Sequence, residues 1–302
     1  MRRRHASTLQ ATLAVALAMA IVLGVIVVGL WALFGRPRPN SETPVIPVDH
    51  CTAVAGGYSG SLSPEQAGNA AIIVGESIRR GLPARAATIA IVAALQESRL
   101  YNIDYGDLDS LGLFQQRPSQ GWGTPEQIMD PWYAAGKFYD ALVKLPHWQS
   151  DPIGSVAQQV QRSAYPDAYA AHESAGRAIA SALTGQTPAS FRCIANDGDG
   201  GGGDGLVALL AQVWGGNITI IQAATTVTVE TADATTAWAV AQLSMAQLAA
   251  SGLASVQVGD QLWTHRATAI ASWGDVPAAP PVTPTPDQTP AAPDDTVLIT
   301  LR

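Results

Sequence analysis

Cys51 and Cys193 are the only two cysteines in a chain of 302 residues, and they bracket one long segment. A single pair placed this way reads as a disulfide formed in an oxidising compartment. Such a bond ties both ends of the segment together and makes residues 51–193 one folded body. The competing reading is two unrelated buried thiols. No Cys/His spacing suggests zinc, and neither a metal nor another cofactor is expected.

A second constraint lies upstream. Ala11 to Phe34 carry no charged side chain, and Arg2, Arg3 and Arg4 precede them. A bilayer span needs about 20 apolar residues, whereas a cleaved signal peptide has an apolar core of about 7–15. The run therefore reads as a transmembrane anchor over 11–34, with residues 1–10 cytoplasmic. Arg36 and Arg38 flank the far side, so the positive-inside bias favours this orientation only narrowly. The expected location is the plasma membrane, single-pass, with the C-terminal bulk extracytoplasmic.

Composition shifts divide the rest. Residues 35–50 are Pro-rich and read as a stalk, 51–193 as the first domain, and 194–205 as a Gly/Asp-rich linker. Residues 206–302 read as a second module with a Pro-rich loop at 277–295. The net charge of -7 hides five arginines in the first forty residues, which leaves 12 basic against 24 acidic residues downstream. So acidic a body is a poor match to nucleic acid, and no nucleic-acid partner is expected. It matches anionic wall polymers no better, so any binding there must rest on a cleft and not on bulk charge.

The first domain reads as mainly α. Ser63-Pro64-Glu65-Gln66 and Thr124-Pro125-Glu126-Gln127 are capping boxes with proline at the first helical position. Pro83 opens a helix running to about Ser98. Asp130-Pro131 and Asp151-Pro152 each place a capping acid before a proline, and Asp167 to Leu183 reads as a last helix stopped by Gly185. The second module reads as a small α/β domain. It has a helix over Gly205–Trp214 and strands near 217–221 and 226–229. A helix over Thr236–Ala250 and a hairpin turning at Gly259-Asp260 follow. Val297-Leu298-Ile299 is an exposed strand-former unless it returns to that sheet, so residues 296–301 are expected to pair there.

Glu97 carries the chemical interest. It ends the second helix, on the stripe of Ile89 and Ala93, where burial raises a carboxyl pKa and suits it to general acid work. Glu97-Ser98 is followed, after a loop over Tyr101 to Ser110, by Gly112-Leu113-Phe114-Gln115. This pattern resembles the soluble lytic transglycosylase and goose-type lysozyme superfamily over residues 62–185. Asp130-Pro131 through Tyr139 is similar to its next helix, and Ala164-Tyr165 to the start of its Ala-Tyr-Asn motif. Tyr165-Pro166 departs from that motif.

The resemblance implies a lysozyme-like fold for the first domain, with Glu97 as acid/base. It also implies Ser98, Gly112, Gln115 and Tyr165 beside the substrate. Gly112 equally reads as a turn residue, Gln115 as surface and Tyr165 as core. Trp122, Trp132 and Trp148 read as core or as sugar-stacking platforms. A hydrolytic, inverting route needs a second carboxylate about 6.5–9.5 Å from the acid, for which Asp109 or Asp107 is the candidate. Asp104, Asp107 and Asp109 also read as solvated loop acids.

The stretch Trp238 to Trp263 is similar to a wall-protein module distantly akin to the hedgehog and D-Ala-D-Ala peptidase fold. It lacks that fold's metal-binding His-x-His, which implies a non-catalytic module available to cell-envelope protein partners. The expected activity is cleavage of peptidoglycan glycan strands at the β-1,4 bond between N-acetylmuramic acid and N-acetylglucosamine, by a lytic transglycosylase. The alternatives are a goose-type lysozyme and a non-catalytic peptidoglycan-binding scaffold.

Overall fold

The computed structural model describes Met19 and residues 49–163, 168–195, 202–266, 269–276 and 293–302. Residues 47–302 cluster as one unit. Within it a three-stranded sheet has the order β2-β1-β3, from β1 (His50–Ala55), β2 (Tyr58–Leu62) and β3 (Phe191–Ile194). Its helices are α1 (Pro64–Arg79), α2 (Ala84–Ser98), α3 (Pro125–Ile128), α4 (Pro131–Leu142), α5 (Ile153–Gln161) and α6 (Glu173–Leu183).

The caps read from sequence form as the chemistry requires. Ser63 and Thr124 close capping boxes with Gln66 and Gln127, and Asp130 accepts from the Trp132 and Tyr133 amides. Asp151 does not cap α5. Pro152 stands at the N-cap, and the Asp151 carbonyl oxygen accepts from Arg85 on α2, whose guanidinium also donates to the Trp148 carbonyl oxygen at 2.9 Å.

Helix α2 is the axis of this half. Every residue from Ala86 to Ala94 is buried, and α1, α4, α5 and α6 pack around it. That explains why its sequence is apolar on all sides: no face meets water. Gly176 lets α6 close on Val92, where a Cβ would collide. Cys51 and Cys193 face each other across β1 and β3 and are bonded. The bond closes a loop of sequence separation 142. On the chain-entropy account its loss costs up to about 4–5 kcal/mol. The Cys51→Ala/Cys193→Ala protein is therefore expected to unfold at markedly lower denaturant than the parent; an unchanged midpoint would contradict this.

The remainder builds a six-stranded sheet of order β4-β5-β9-β6-β7-β8. The strands are β4 (Thr219–Ala223), β5 (Thr226–Glu230), β6 (Leu253–Val258), β7 (Gln261–Thr264), β8 (Gly274–Asp275) and β9 (Thr296–Leu301). With it come helices α7 (Gly203–Trp214), α8 (Ala234–Ala246) and α9 (Leu248–Ser251). The C-terminal run does return: β9 pairs antiparallel with both β5 and β6. The Gly259-Asp260 turn joins β6 to β7 with Gly259 at φ 55°.

One apolar core runs through both halves. Gln242 on α8 is wholly buried and joins them. Its Oε1 accepts from the Ser190 and Phe191 amides at 2.9 and 2.8 Å, and its Nε2 donates to the Ala182 and Thr187 carbonyls at 2.8 and 3.0 Å. Trp273 Nε1 donates to the Phe191 carbonyl oxygen, and His265 Nε2 contacts that of Ala195.

The fold class expected from sequence is corrected here. The unit is α+β, with sheets in both halves on a shared core, and not a mainly α lysozyme-like domain with a second small α/β domain behind a transmembrane helix. The run 11–34 lies, apart from Met19, outside the described residues. Among the described residues no helix is long and apolar enough to cross a membrane. The longest fully described one, α1, has 16 residues and carries Glu65, Glu76 and Arg79, short of the roughly 20 apolar residues a span needs. The N-terminal transmembrane helix, membrane contact through it and the single-pass plasma-membrane location are therefore unsupported.

Candidate active site

Glu97 sits in the last turn of α2, where the chain makes a forced exit. Arg99 and Leu100 both adopt left-handed backbone, at φ 55° and 63°, which non-glycine residues rarely do. The turn is held because Leu100 is buried and because α1 donates to its carbonyls. Gln66 Nε2 reaches the Arg99 oxygen at 2.6 Å and Asn69 Nδ2 the Leu100 oxygen at 2.9 Å. Strained backbone of this kind gathers at functional sites.

The Glu97 carboxyl is half-buried, and burial raises its pKa above the ordinary carboxyl range. Hydrogen bonds from Tyr169 and Gln161 pull the other way without winning. Its place at the C-terminal, negative end of the α2 dipole, with no basic residue in the last turn, acts in the same direction as burial. The result is a carboxyl that keeps its proton to higher pH than an exposed one and is aimed by two side chains from another part of the chain.

The glutamate forms one wall of a cleft of about 630 Å³, within the range of small-ligand sites. Asp107, Phe114, Gln115, Gln116, Trp122 and Gln161 also line it. The Gly112–Gln115 turn is fixed from several sides. Ser98 is buried, and its hydroxyl donates to the Leu113 carbonyl oxygen at 2.8 Å, so it ties the turn to the end of α2. Gly112 has φ 74°, and a Cβ there would come within 2.7 Å of the Ile128 carbonyl oxygen. Glycine is thus required by packing against α3. Gln115, itself at φ 48°, donates from Nε2 to the Tyr105 and Gly112 carbonyls and lies over Gly106, which has no room for a side chain. Gln116 anchors the same turn to α4 through the Ala134 carbonyl oxygen at 3.1 Å.

The two candidate second carboxylates part company. Asp109 accepts from Arg117 Nε at 2.6 Å and from the Ser119 amide and hydroxyl at 2.8 and 3.0 Å. The Arg117 hydrogen bond first, then those of Ser119, hold its carboxyl far below the usual range. It clasps the loop and is not among the residues lining the cleft, whereas the exposed Asp107 is. Of the tryptophans, Trp122 lines the cleft and Trp148 is buried in the core. Among the described residues no three His, Cys, Asp or Glu side chains come together as a metal-holding group.

Tyr165 lies outside the described residues. The phenol that meets Glu97 belongs to Tyr169, whose hydroxyl donates to Glu97 Oε1. Tyr169 opens the 3-10 turn Tyr169–His172 that precedes α6. A signal existed, because Ala168-Tyr169 repeats the Ala-Tyr pair of Ala164-Tyr165 one helical turn later. Gln161 was also missed, at the end of α5; its Nε2 donates to the Phe114 carbonyl oxygen at 2.6 Å and so joins glutamate and turn.

Tyr169 is a positioning residue, and its removal has a signed consequence. Its hydrogen bond favours the charged carboxylate, so Tyr169→Phe raises the Glu97 pKa further. A rate that needs the protonated acid then falls off at higher pH than in the parent. If Glu97 serves as a catalytic acid, a loss of roughly tenfold in kcat is expected from one charge-assisted hydrogen bond. A pH–rate profile with an unmoved alkaline limb would contradict the assignment.

No protein-family model and no curated protein matches this chain.

Proposed function

We propose that the protein cleaves the glycan strands of peptidoglycan, as a lytic transglycosylase acting on the β-1,4 bond between N-acetylmuramic acid and N-acetylglucosamine. The observation that carries this reading is the half-buried Glu97, its pKa raised by burial, on the wall of an open cleft of about 630 Å³. A proton held there can pass to the glycosidic oxygen as the bond breaks. The same carboxylate then takes the proton of the attacking hydroxyl, so one group serves as acid and then base. The attacking group in a transglycosylase is the sugar's own 6-hydroxyl, which needs no second carboxylate.

Asp107 on the same cleft favours a second reading, hydrolysis with that carboxylate activating water. Asp109 is a poor base because its oxygens are already occupied. Mass spectrometry of the fragments released from purified peptidoglycan separates these readings. Anhydro ends, one water lighter, support the transglycosylase. Hydrated ends that disappear in Asp107→Asn support hydrolysis. Binding without any released fragment would leave a non-catalytic glycan-binding scaffold.

A further inference from the structure

The end of α2 opposite Glu97 carries a cavity of its own, of about 320 Å³. Tyr58 on the β1–β2 hairpin, Arg85 on α2, Arg177 and Ser181 on α6, and Thr187 just beyond it all line this cavity, and among the described residues no acidic side chain does. Helix α2 has 15 residues, so the cavity and Glu97 lie roughly 20 Å apart. Arg85 donates through Nε and Nη2 to the carbonyl oxygens of Trp148 and Asp151. Both acceptors are neutral, and neither bond uses Nη1. Arg177 forms a salt bridge with Glu173 at 2.6 Å, and its guanidinium lies 5.6 Å from the centre of the Tyr58 ring. One acid thus stands against two guanidiniums, and the pair keeps a net positive charge. The Ser181 and Thr187 hydroxyls are 2.8 Å apart. Whichever of them donates, the other keeps a proton to offer.

We propose that this cavity binds a phosphate group. Guanidinium forks are suited to oxyanions. Here they come from two different helices, with a hydroxyl pair beside them, so the donors suit a ligand that accepts on several sides. A tetrahedral phosphate does so, whereas the two oxygens of a carboxylate share one plane. Downstream of its first forty residues the chain has 12 basic against 24 acidic residues, so its bulk charge repels anions and any phosphate held must be held by local donors. The site is separate from the Glu97 cleft and goes beyond the glycan-cleaving function. Inorganic phosphate and a poly(glycerol phosphate) chain both present the group.

The test is calorimetric titration of the full chain with inorganic phosphate, with a short poly(glycerol phosphate) and, as the planar anion, with acetate. Phosphate is expected to bind, and acetate to bind more weakly. Arg177→Gln removes one partly exposed cation and is expected to weaken phosphate binding about fivefold at an unchanged melting temperature. High salt should weaken it as well, because the charges are screened. Arg162→Gln, in the Glu97 cleft, should leave it unchanged. Arg85→Gln is expected to weaken it too; if that variant folds poorly for want of its bonds to Trp148 and Asp151, Arg177→Gln still decides. Tighter binding of the polymer, per phosphate, upholds the site with a polymer as its ligand, and binding of inorganic phosphate alone upholds it with a free phosphate. No binding of either phosphate probe, acetate bound as tightly as phosphate, or phosphate binding untouched by Arg177→Gln would overturn the inference. Each of those results would leave the proposed function standing.

Discussion

Removing residues 294–302 is expected to abolish cooperative folding of the unit, not merely to trim its end. The deletion takes out β9, which lies between β5 and β6 in the six-stranded sheet. Val297, Ile299 and Leu301 point into the core, and Leu301 packs against Gly203 at the start of α7. Burying each such side chain contributes about 1.5–3 kcal/mol. The loss is therefore comparable to the roughly 5–15 kcal/mol that holds a whole domain together, before any broken ladder is counted. Strands β5 and β6 would each also gain an unpaired edge, an invitation to aggregate. Because α8 packs on this sheet and anchors Gln242 among Ala182, Thr187 and Phe191, the damage should reach the half that carries Glu97. Calorimetry is the check. A thermal transition unchanged by the truncation would mean that β9 is not part of the fold in solution.

The second large effect is chemical. Glu97→Gln keeps the shape of the side chain and leaves Tyr169 an oxygen to donate to, but it removes the transferable proton. General acid catalysis contributes about 10²–10⁴-fold to rate, and a loss of at least that size is expected. The same change should not cost stability. Burial raises the Glu97 pKa in the folded protein, so the folded state binds this proton more tightly than the unfolded chain does. The stabilisation so gained is complete below the unfolded pKa and is lost as pH rises through the folded one. Above the folded-state pKa the ionised carboxylate is therefore a burden that the amide lacks. The Glu97→Gln protein is expected to melt at or above the parent temperature, with its advantage growing as pH rises through that pKa. A variant that is inactive only because it is unfolded would show the opposite.

How much of this was legible in the sequence depends on the range of the signal. Ser63, Thr124 and Asp130 announce helix starts because a cap is a bond to an amide two or three residues away. Asp151 carried the same local signal and failed, because Pro152 takes the N-cap position of α5 and no side chain caps that helix. The strand at 296–301 was readable from its apolar run Val297-Leu298-Ile299, and its central place in the sheet was not, since both partner strands are distant in sequence. Glu97 was readable from its helix stripe and from the Gly112-Leu113-Phe114-Gln115 turn that follows. Its partners were less so. Ser98 was expected beside substrate and instead donates to the Leu113 carbonyl oxygen, and Tyr169 reaches Glu97 across 72 residues. Gln242 gave no local sign of joining the halves, because a buried amide is told from an exposed one only by what surrounds it. The apolar run at 11–34 was the strongest local signal of all, yet no described helix answers to a membrane span.

The central claim, that Glu97 is the acid of a glycan-cleaving site, is tested most directly by incubating purified peptidoglycan with the protein and with its Glu97→Gln variant side by side. Released soluble fragments are measured over time, and the melting curve of each protein is recorded. The account predicts steady release by the parent, release reduced by at least about a hundredfold in the variant, and a variant melting temperature no lower than the parent's. Equal release by the two proteins, or none by a folded parent, would contradict it.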